Sequence, residues 1–457
     1  MLLGPRVLGS AILASAARHA AVRSIVTISD AFDSGNIELS GITDSTVQLK
    51  IKPDPFTELE KKSHSQWFAF RATGVAEHAA AITYEIINAG NASYADAWVG
   101  SEVVASHDRI SWVRVDSTKY DEERGALTWE WKHTSSSPSV FFAYFDIYSY
   151  DRHLDLVARC TAATNAPGLR VHSIGQTLDG REMECISVGT GPLQAWVIHR
   201  QHPGEPMAEF FAEGLLSRLL GLRTSESVDA LTRKLLEQFT FHVVPSMNPD
   251  GATRGHLRTN AIGSNLNREW ACTGEYEAPT LERSPEVFHV LRSMDESGVD
   301  FFCDIHGDEA LPFTFCAGGE GLPVWGPRLK ALHGAFVGSY ARANPDMQAK
   351  FGYEPDAPLA GNLAICSNQI SNRFDCLGCT LEMPFKDAAN VPRRQGEERG
   401  FDGSRAAMLG ASLLDAIAYV APNLRGVDEP SFLLPDDAYV APVEDAAEIA
   451  KWLEARK

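Results

Sequence analysis

The sequence predicts two folded parts, an all-β sandwich followed by an α/β domain built on a mixed or parallel sheet. Between about residues 28 and 150, short apolar–polar alternations such as Thr46–Ile51 and Leu127–Trp131 are separated by turn signals, which is typical of a β-sandwich. After Asp151, apolar strands alternate with helices, as in strand Ala195–His199 and the helix predicted over about 206–220. This alternation indicates a sheet covered by helices, with ligands bound at the carboxyl ends of the strands. The same pattern predicts strands over Phe241–Val244, Asp300–Ile305 and Leu377–Met383, and helices over Pro285–Met294 and Arg405–Val420.

The chain divides into four predicted segments, which are residues 1–29, 30–152, 153–425 and 426–457. The first segment carries Arg6, Arg18 and Arg23 and has no acidic residue before Asp30, a composition typical of a mitochondrial presequence. A disordered extension is the alternative. We therefore expect an intracellular protein, mitochondrial if residues 1–29 are a presequence and cytoplasmic otherwise. Residues 30–152 contain no cluster of metal-binding or nucleophilic side chains, so we expect this part to frame the next domain by packing.

Composition excludes some classes of function. The formal net charge of −19 over 457 residues argues against nucleic acid as a partner, because phosphate binding needs a surplus of Lys and Arg. The sequence has no apolar run near the ~20 residues that a membrane span needs. Eight scattered cysteines fit a reducing compartment, and the CxxC pair Cys376 and Cys379 is interpreted as buried small residues. The oligomeric state is left open.

Two short motifs pair a histidine with a glutamate three residues later, and each follows a predicted strand. They are His202-Pro-Gly-Glu205 and His306-Gly-Asp-Glu309. A hydrolytic zinc site needs three protein ligands and an open position for water, and imidazole and carboxylate groups suit it. With 14 histidines and 60 acidic residues, about one such pair is expected by chance. The spacing alone therefore does not select which motif supplies the carboxylate.

Six motifs occur in one order, and together they are more specific than any one alone. The series resembles the M14 zinc metallocarboxypeptidases, and the β-rich amino-terminal part with the run Thr380–Phe385 resembles their cytosolic carboxypeptidase (Nna1-like) subfamily. The resemblance covers about residues 30–425. It implies a mixed-sheet, phosphorylase/hydrolase-like α/β/α catalytic domain after the sandwich. The motifs are His202-Pro-Gly-Glu205, Asn248-Pro-Asp-Gly251, Arg258, Asn265-Leu-Asn-Arg268, Asp304-Ile-His306 and Thr380-Leu-Glu382.

The resemblance implies hydrolysis of C-terminal residues from peptides or proteins, with one Zn²⁺ per chain. His202, Glu205 and His306 would bind the zinc ion, the His₂Glu set that carboxypeptidase A also uses. Glu382 would be the general base, and Arg258 would stabilise the oxyanion. The remaining implied roles are substrate-carboxylate binding by Asn267 and Arg268, and orientation of the ligands by Asp304, Asp308 and Glu309.

Some features of the resemblance stay open in the sequence. The family places a tyrosine over the substrate, and both Tyr340 and Tyr353 lie in the right interval, with Tyr353 preferred. Some members have Asp where this chain has Asn265, a change that we expect to leave Asn267 and Arg268 undisturbed.

Substrate preference is a further expectation. Cytosolic carboxypeptidases generally remove C-terminal glutamates, so we expect acidic C-termini as partners. Arg373 is the cation nearest upstream of Glu382, and Arg393 and Arg394 could extend a basic rim that overcomes the net charge. Two other hypotheses are a zinc amidase of the aspartoacylase or succinylglutamate desuccinylase type, and a non-catalytic peptide-binding module on the same fold.

Overall fold

The computed structural model describes residues 26–432, apart from 44, 59, 61, 75–80, 223–227, 275, 392–399 and 427–429. The predicted presequence therefore lies mostly, and the predicted C-terminal tail almost entirely, outside the described residues, as do Arg393 and Arg394. In the described part, the strands of two sheets lie within residues 27–143 and those of a third within residues 170–384. We retain 30–152 and 153–425 as the proposed domain boundaries.

The first part is a sandwich of two five-stranded sheets. Strand pairing is antiparallel, apart from one parallel pair in the second sheet, Thr46–Lys50 with Ile82–Ile86. In spatial order, the first sheet contains β1 (Thr27–Ser29), β4 (Ala69–Thr73), β10 (Ser139–Ala143), β6 (Val104–Ser106) and β7 (Val113–Arg114). The second contains β2 (Glu38–Ile42), β3 (Thr46–Lys50), β5 (Ile82–Ile86), β9 (Ala126–Trp131) and β8 (Lys119–Asp121).

Aromatic side chains join the two sheets of the sandwich. Phe70 and Phe142 from the first sheet contact Tyr84 and Trp129 from the second, with ring centroids 4.9–6.1 Å apart. Large rings bury much apolar area at little entropic cost, and the Tyr84 hydroxyl lies 2.6 Å from Nε2 of His133, which satisfies its hydrogen bonding. The predicted sandwich is therefore confirmed.

The second part is built on a seven-stranded mixed sheet with a parallel centre. Its four central strands are β14 (Phe239–Val244), β13 (Leu193–His199), β15 (Phe301–Asp308) and β17 (Leu377–Pro384), which run parallel in this spatial order. Antiparallel strands flank them, β12 (Glu182–Val188) and β11 (Arg170–Gln176) on one side and β16 (Phe315–Ala317) on the other. All residues of β15 and β17 are buried, as expected for parallel strands covered on both faces.

Helices cover both faces of this sheet, which gives the expected α/β/α layers. On one face α2 (Met207–Leu220), α6 (Pro327–Ala343) and α8 (Gly403–Val420) pack over strand residues such as Val197 and Ile305. On the other face α5 (Pro285–Ser297) and α7 (Cys366–Phe374) pack over the alternate positions, such as Trp196 and Phe302. The remaining α-helices in the described residues are α1 (Tyr150–Ala162), α3 (Ala230–Gln238) and α4 (Pro249–Arg254).

Helix α8 has the length and composition of a membrane span but is part of the core. The stretch Gly403–Asn423 has a mean hydropathy of 1.2, and 56% of it is buried inside the protein. It packs against α2 and α6, so its apolar residues already face protein. The cysteines Cys376 and Cys379 are buried and free, as the sequence predicted.

The packing of α2 on α8 requires glycine at two positions. A Cβ at Gly214 would lie 1.8 Å from the carbonyl oxygen of Ala407, and one at Gly410 would lie 2.1 Å from that of Phe211. Both are backbone contacts, which a side-chain rotation cannot relieve. The two helices can therefore approach this closely only if both positions lack a Cβ.

We expect Gly214→Ala to destabilise the protein by about 1–3 kcal/mol, because overpacking outweighs the better helix propensity of alanine. Urea unfolding followed by circular dichroism measures the effect. Gly326→Ala is the matched control, since a Cβ there meets no atom within 4 Å. Equal stability of Gly214→Ala and wild type would contradict the packing argument.

Candidate active site

The carboxyl ends of the parallel strands bring three predicted metal ligands together. Nδ1 of His202 lies 2.7 Å from Oε1 of Glu205, and Nδ1 of His306 lies 2.9 Å from Oε2 of the same carboxylate. The two Nδ1 atoms are 3.2 Å apart. All three side chains are buried. Among the described residues, this is the one group of three or more His, Cys, Asp or Glu side chains that could hold a metal ion, and it contains Glu205 and not Glu309.

Local backbone contacts fix the loop that carries the first two ligands. Gly204 donates its N–H to the carbonyl of Leu257, and a Cβ there would lie 2.7 Å from that oxygen, so the position needs glycine. Arg200, which is fully buried, donates to the carbonyls of Pro203 and Tyr148. Glu205 also accepts a hydrogen bond from the N–H of Gly307 on β15, at 2.9 Å. The loop after β13 and the end of β15 are thereby joined.

Each imidazole has an oxygen at its far nitrogen. Oδ1 of Asn265 lies 3.1 Å from Nε2 of His202, and Oδ2 of Asp304 lies 2.9 Å from Nε2 of His306. By accepting from Nε2 of His202, Asn265 holds the proton there and leaves Nδ1 free to bind a metal ion, while Asp304 acts on His306 through its negative charge. Asn265 therefore does more than was expected from the sequence, since it orients a ligand and also accepts from the N–H of Asn267.

The donor set fits a zinc ion. Ligand atoms ~2.0–2.1 Å from a common zinc ion lie roughly 3.3 Å apart in tetrahedral geometry, close to the separations of 2.7–3.2 Å found here. Burial lowers the pKa of His202 to about 3, so this imidazole is neutral, as a ligand must be. Burial would lower the pKa of His306 as well, but Asp304 and Glu205 raise it well above its usual range. The space between Glu205 and His306 therefore attracts positive charge.

Glu382 lies beside the ligands, on the adjacent strand. In the register of β15 with β17, His306 is the direct partner of Glu382. Burial raises the pKa of this carboxyl well above its usual range, and the neighbouring carboxylates of Glu205, Asp308 and Glu309 raise it further. A carboxyl group in such surroundings holds a proton more tightly than one in water, which suits an acid–base role.

Of the two candidate tyrosines, Tyr340 and Tyr353, only Tyr353 lies at the site. Its hydroxyl donates to Oδ2 of Asp308 at 2.6 Å and lies 3.3 Å from Oε1 of Glu382. Tyr340 is fully buried in α6 and donates to the carbonyl of Leu409. The preference for Tyr353 therefore agrees with the structure.

His202, Glu205 and Glu382 line one cleft of about 490 Å³. Arg258, Asn267 and Arg268 all line it together with Tyr353. The amide oxygen of Asn267 accepts from the N–H of Cys366, and Nη1 of Arg268 donates to the carbonyl of Asn267, so both residues are fixed at the rim. Polar uncharged side chains from β17 and α7 complete the wall beside Glu382, namely Thr380, Ser367 and Asn368.

Arg373 does not belong to this site, which corrects the sequence-based assignment. It lies in the last turn of α7, and its guanidinium makes two hydrogen bonds to Asp295 of α5, at 2.7 and 2.8 Å. Its side chain is 42% exposed and is not part of the cleft wall. Nearness to Glu382 in sequence did not bring it near in space, because the strand that carries Glu382 runs away from the end of the helix.

Sequence reasoning missed one cleft residue from the sandwich. Tyr94 lies in the turn before a short 3₁₀ helix and lines the cleft with Arg258 and Glu309. Gln66 fixes it by accepting from its N–H and donating to its carbonyl. Burial raises the pKa of Tyr94 to about 12. The expectation that residues 30–152 only frame the second domain is therefore too narrow.

Comparison with known proteins identifies the family. The profile of the cytosolic carboxypeptidase N-terminal domain matches residues 28–145, and that of the zinc carboxypeptidases, peptidase family M14, matches residues 158–317. A metallo-carboxypeptidase of Pseudomonas aeruginosa in complex with (2-guanidinoethylmercapto)succinic acid is 39% identical, with a TM-score of 0.79 over 87% of this chain and 100% of that one. The chain belongs to the M14 zinc carboxypeptidases. The predicted family and class of enzyme are thereby confirmed.

Two relatives define how far this metallocarboxypeptidase resembles other members. An uncharacterized protein of Zymomonas mobilis is 40% identical over 87% of this chain and 97% of its own length. Cytosolic carboxypeptidase 3 of Mus musculus is 27% identical over 64% of this chain but only 30% of its own length. The match to the mouse enzyme therefore covers under a third of that protein.

We expect Asn265→Ala to weaken zinc affinity by roughly 10–100-fold, because His202 loses the oxygen that orients its ring. Competition with a chromogenic chelator measures the affinity. Asn265→Asp keeps the acceptor and should bind zinc at least as tightly as wild type. Asn368→Ala, a cleft asparagine whose amide donates to the carbonyl of Asn362, is the control. Unchanged affinity in Asn265→Ala would refute the orienting role.

Proposed function

We propose that this metallocarboxypeptidase removes C-terminal residues from peptides or proteins, with Glu382 as general base and one zinc ion per chain. The observation that carries the proposal is the grouping of His202, Glu205 and His306 at a cleft that is lined by the first two of them, by Glu382 and by two arginines. An exopeptidase must bind a terminal carboxylate and polarise the carbonyl next to it. Two separately placed cations, Arg258 and Arg268, meet that requirement.

The metal ligands and the base have distinct tasks. His202, Glu205 and His306 would hold the zinc ion, which would supply a Lewis acid for the scissile carbonyl and for water. Glu382 takes a proton from the attacking water onto its carboxylate and later gives it to the leaving amine.

Arg258, Arg268 and Tyr353 bind the parts of the substrate that do not contact the metal site. Asn267 and Arg268 bind the terminal carboxylate, where a guanidinium can donate two parallel hydrogen bonds. Arg258 stabilises the negative charge that develops on the carbonyl oxygen. Tyr353 lies on the side of Glu382 and donates its hydroxyl proton to the substrate in place of its bond to Asp308.

An acidic terminal residue remains our proposal for specificity, with a different cation from the one expected. Lys350 lines the cleft near Tyr353 and, apart from Arg258 and Arg268, is the only lysine or arginine among the described residues of the wall. Besides Glu205, Asp308, Glu309 and Glu382, three further carboxylates line the same cleft, namely Glu320, Glu354 and Asp356. These three carboxylates would instead favour a basic terminal residue. Activity on peptides that end in Glu should therefore be compared with activity on peptides that end in Arg.

The cellular location follows the family name only as a proposal. Relatives are called cytosolic carboxypeptidases, which favours an intracellular, cytoplasmic enzyme. A mitochondrial location depends on residues 1–29, most of which lie outside the described residues.

The first test uses Glu382→Gln. We expect kcat to fall by roughly 10²–10⁴-fold, because the amide cannot accept the proton, while zinc content stays at one per chain. Release of amino acids from a panel of C-terminally varied peptides measures activity, with N-acyl amino acids as a second substrate class. Full activity of the variant would remove Glu382 as base, and hydrolysis of N-acyl amino acids alone would favour the amidase hypothesis.

Specificity is tested by comparing Lys350→Ala with Arg373→Ala. We expect the first to lower kcat/KM for terminal Glu by about two- to fivefold relative to terminal Leu, since Lys350 is exposed and an exposed ion pair contributes up to ~1 kcal/mol. Arg373→Ala should leave the ratio unchanged, because that side chain pairs with Asp295. Preference of the wild type for terminal Arg would overturn the acidic proposal and assign specificity to the three carboxylates.

A further inference from the structure

A carboxylate from the sandwich binds the backbone on both sides of Arg258. Oδ1 of Asp54 accepts from the N–H of Leu257 at 2.7 Å, and Oδ2 accepts from the N–H groups of Arg258 and Thr259 at 2.8 and 2.9 Å. The hydroxyl of Thr259 donates to the same oxygen at 3.0 Å. Three consecutive backbone donors and one hydroxyl thus converge on one side chain from another part of the fold.

Residues 257–259 lie in neither a helix nor a strand, and Leu257 and Thr259 are buried, so their N–H groups need a partner inside the protein. A carboxylate is the side chain suited to accept several such bonds, and charge-assisted bonds of this type are about twice as strong as neutral ones. Asp54 is itself only 4% exposed, so solvent does not compete.

The contact continues along the neighbouring residues of the sandwich. The carbonyl of Phe56 approaches Gly263 so closely that a Cβ there would lie 1.9 Å away, and Gly263 has φ of +87°. Glu60 accepts from the N–H of Asn265 at 3.4 Å. The sandwich therefore runs beside the catalytic-domain loop from Leu257 to Asn265, which includes Arg258 and the residue that orients His202.

The same loop is tied to the metal ligands. The carbonyl of Leu257 accepts from the N–H of Gly204, which lies between His202 and Glu205. A shift of residues 257–259 would therefore move Arg258 relative to the ligands. Positioning errors of about 1 Å can cost ~10²-fold in rate.

We propose that Asp54 is a positioning residue for Arg258, so that the amino-terminal sandwich completes the active site of the catalytic domain. The inference rests on the proposed role of Arg258 at the oxyanion. Asp54 touches no substrate. It holds the backbone from which the guanidinium reaches the cleft.

The test measures kcat, KM and zinc content of Asp54→Ala, Asp54→Asn, Arg258→Ala and the double variant Asp54→Ala/Arg258→Ala. We expect kcat of Asp54→Ala to fall roughly tenfold to hundredfold with KM changed less than about threefold, because the loss falls on the transition state. Asp54→Asn, which keeps the shape and one acceptor oxygen, should fall less. Affinity for a peptide phosphonate that mimics the tetrahedral state should fall with kcat.

The double variant separates positioning from general damage. If Asp54 acts through Arg258, Asp54→Ala has little further effect once Arg258 is alanine. Equal fold-losses with and without Arg258, or wild-type kcat in Asp54→Ala, would overturn the inference. If Asp54→Ala does not fold, Asp54→Asn in the same cycle decides.

Arg114→Ala is the matched control. Arg114 is another partly buried charged residue of the sandwich, and it donates to the carbonyls of Phe385 and Phe401 in the catalytic domain. We expect its loss to lower the melting temperature with kcat near wild type. A wild-type enzyme that releases no terminal residue would refute the proposed function and with it this inference. An active wild type with an impaired Arg258→Ala and an unimpaired Asp54→Ala would refute the inference alone.

Discussion

The site depends on the burial of several carboxylates around two imidazoles. Removing an ionised carboxylate from water costs several kcal/mol unless a cation or hydrogen bonds compensate. In the protein alone, burial raises the pKa of Asp308, Glu309 and Glu382, neighbouring carboxylates raise the pKa of Glu309 and Glu382 further, and Asp304 and Glu205 raise the pKa of His306. A divalent cation held by His202, Glu205 and His306 would offset this concentration of negative charge. The buried carboxylates are Glu205, Asp304, Asp308, Glu309 and Glu382.

The topology of the sheet explains how residues far apart in sequence form this group. β13, β15 and β17 are parallel neighbours, so their carboxyl ends lie along one edge. His306 and Glu382 are direct partners in the register, which places metal ligand and base on adjacent strands roughly 4.8 Å apart. A register shift by one residue would turn Glu382 to the opposite face. Burial of β15 and β17 therefore fixes their register, and the register places His306 beside Glu382.

The sequence predicted the strands that carry the site better than the rest of the fold. Ala195–His199 and Leu377–Met383 are continuous apolar runs, and the observed strands Leu193–His199 and Leu377–Pro384 contain them. Strand β11, with burial on few of its residues, and the helix α7, whose residues are largely polar, gave no comparable pattern. Strong periodicity requires a consistently buried face, and edge elements lack one.

Only those site residues that belong to the ordered series of motifs could be predicted from the sequence. The spacing of His202 and Glu205 equals that of His306 and Glu309, and it is the fold that brings Glu205 to both imidazoles. Arg373 was assigned by nearness in sequence, but the turn at Asp375, with φ of +46°, separates the helix from the strand. Tyr94 and Asp54 had no local signal at all, because their roles arise from packing between the two parts of the chain.

That packing changes how the two parts should be understood. A domain that only rests on its neighbour makes contacts spread over an interface, mostly with side chains. Here the Asp54 carboxylate accepts hydrogen bonds from three successive backbone N–H groups, those of residues 257–259. Tyr94, from the same part of the chain, lines the cleft. The catalytic domain without the sandwich would leave the donors of Leu257 and Thr259 buried without these acceptors or open them to water, and either would alter the setting of Arg258. The cleft is therefore built by both parts of the chain, although the candidate metal ligands and Glu382 all come from the second.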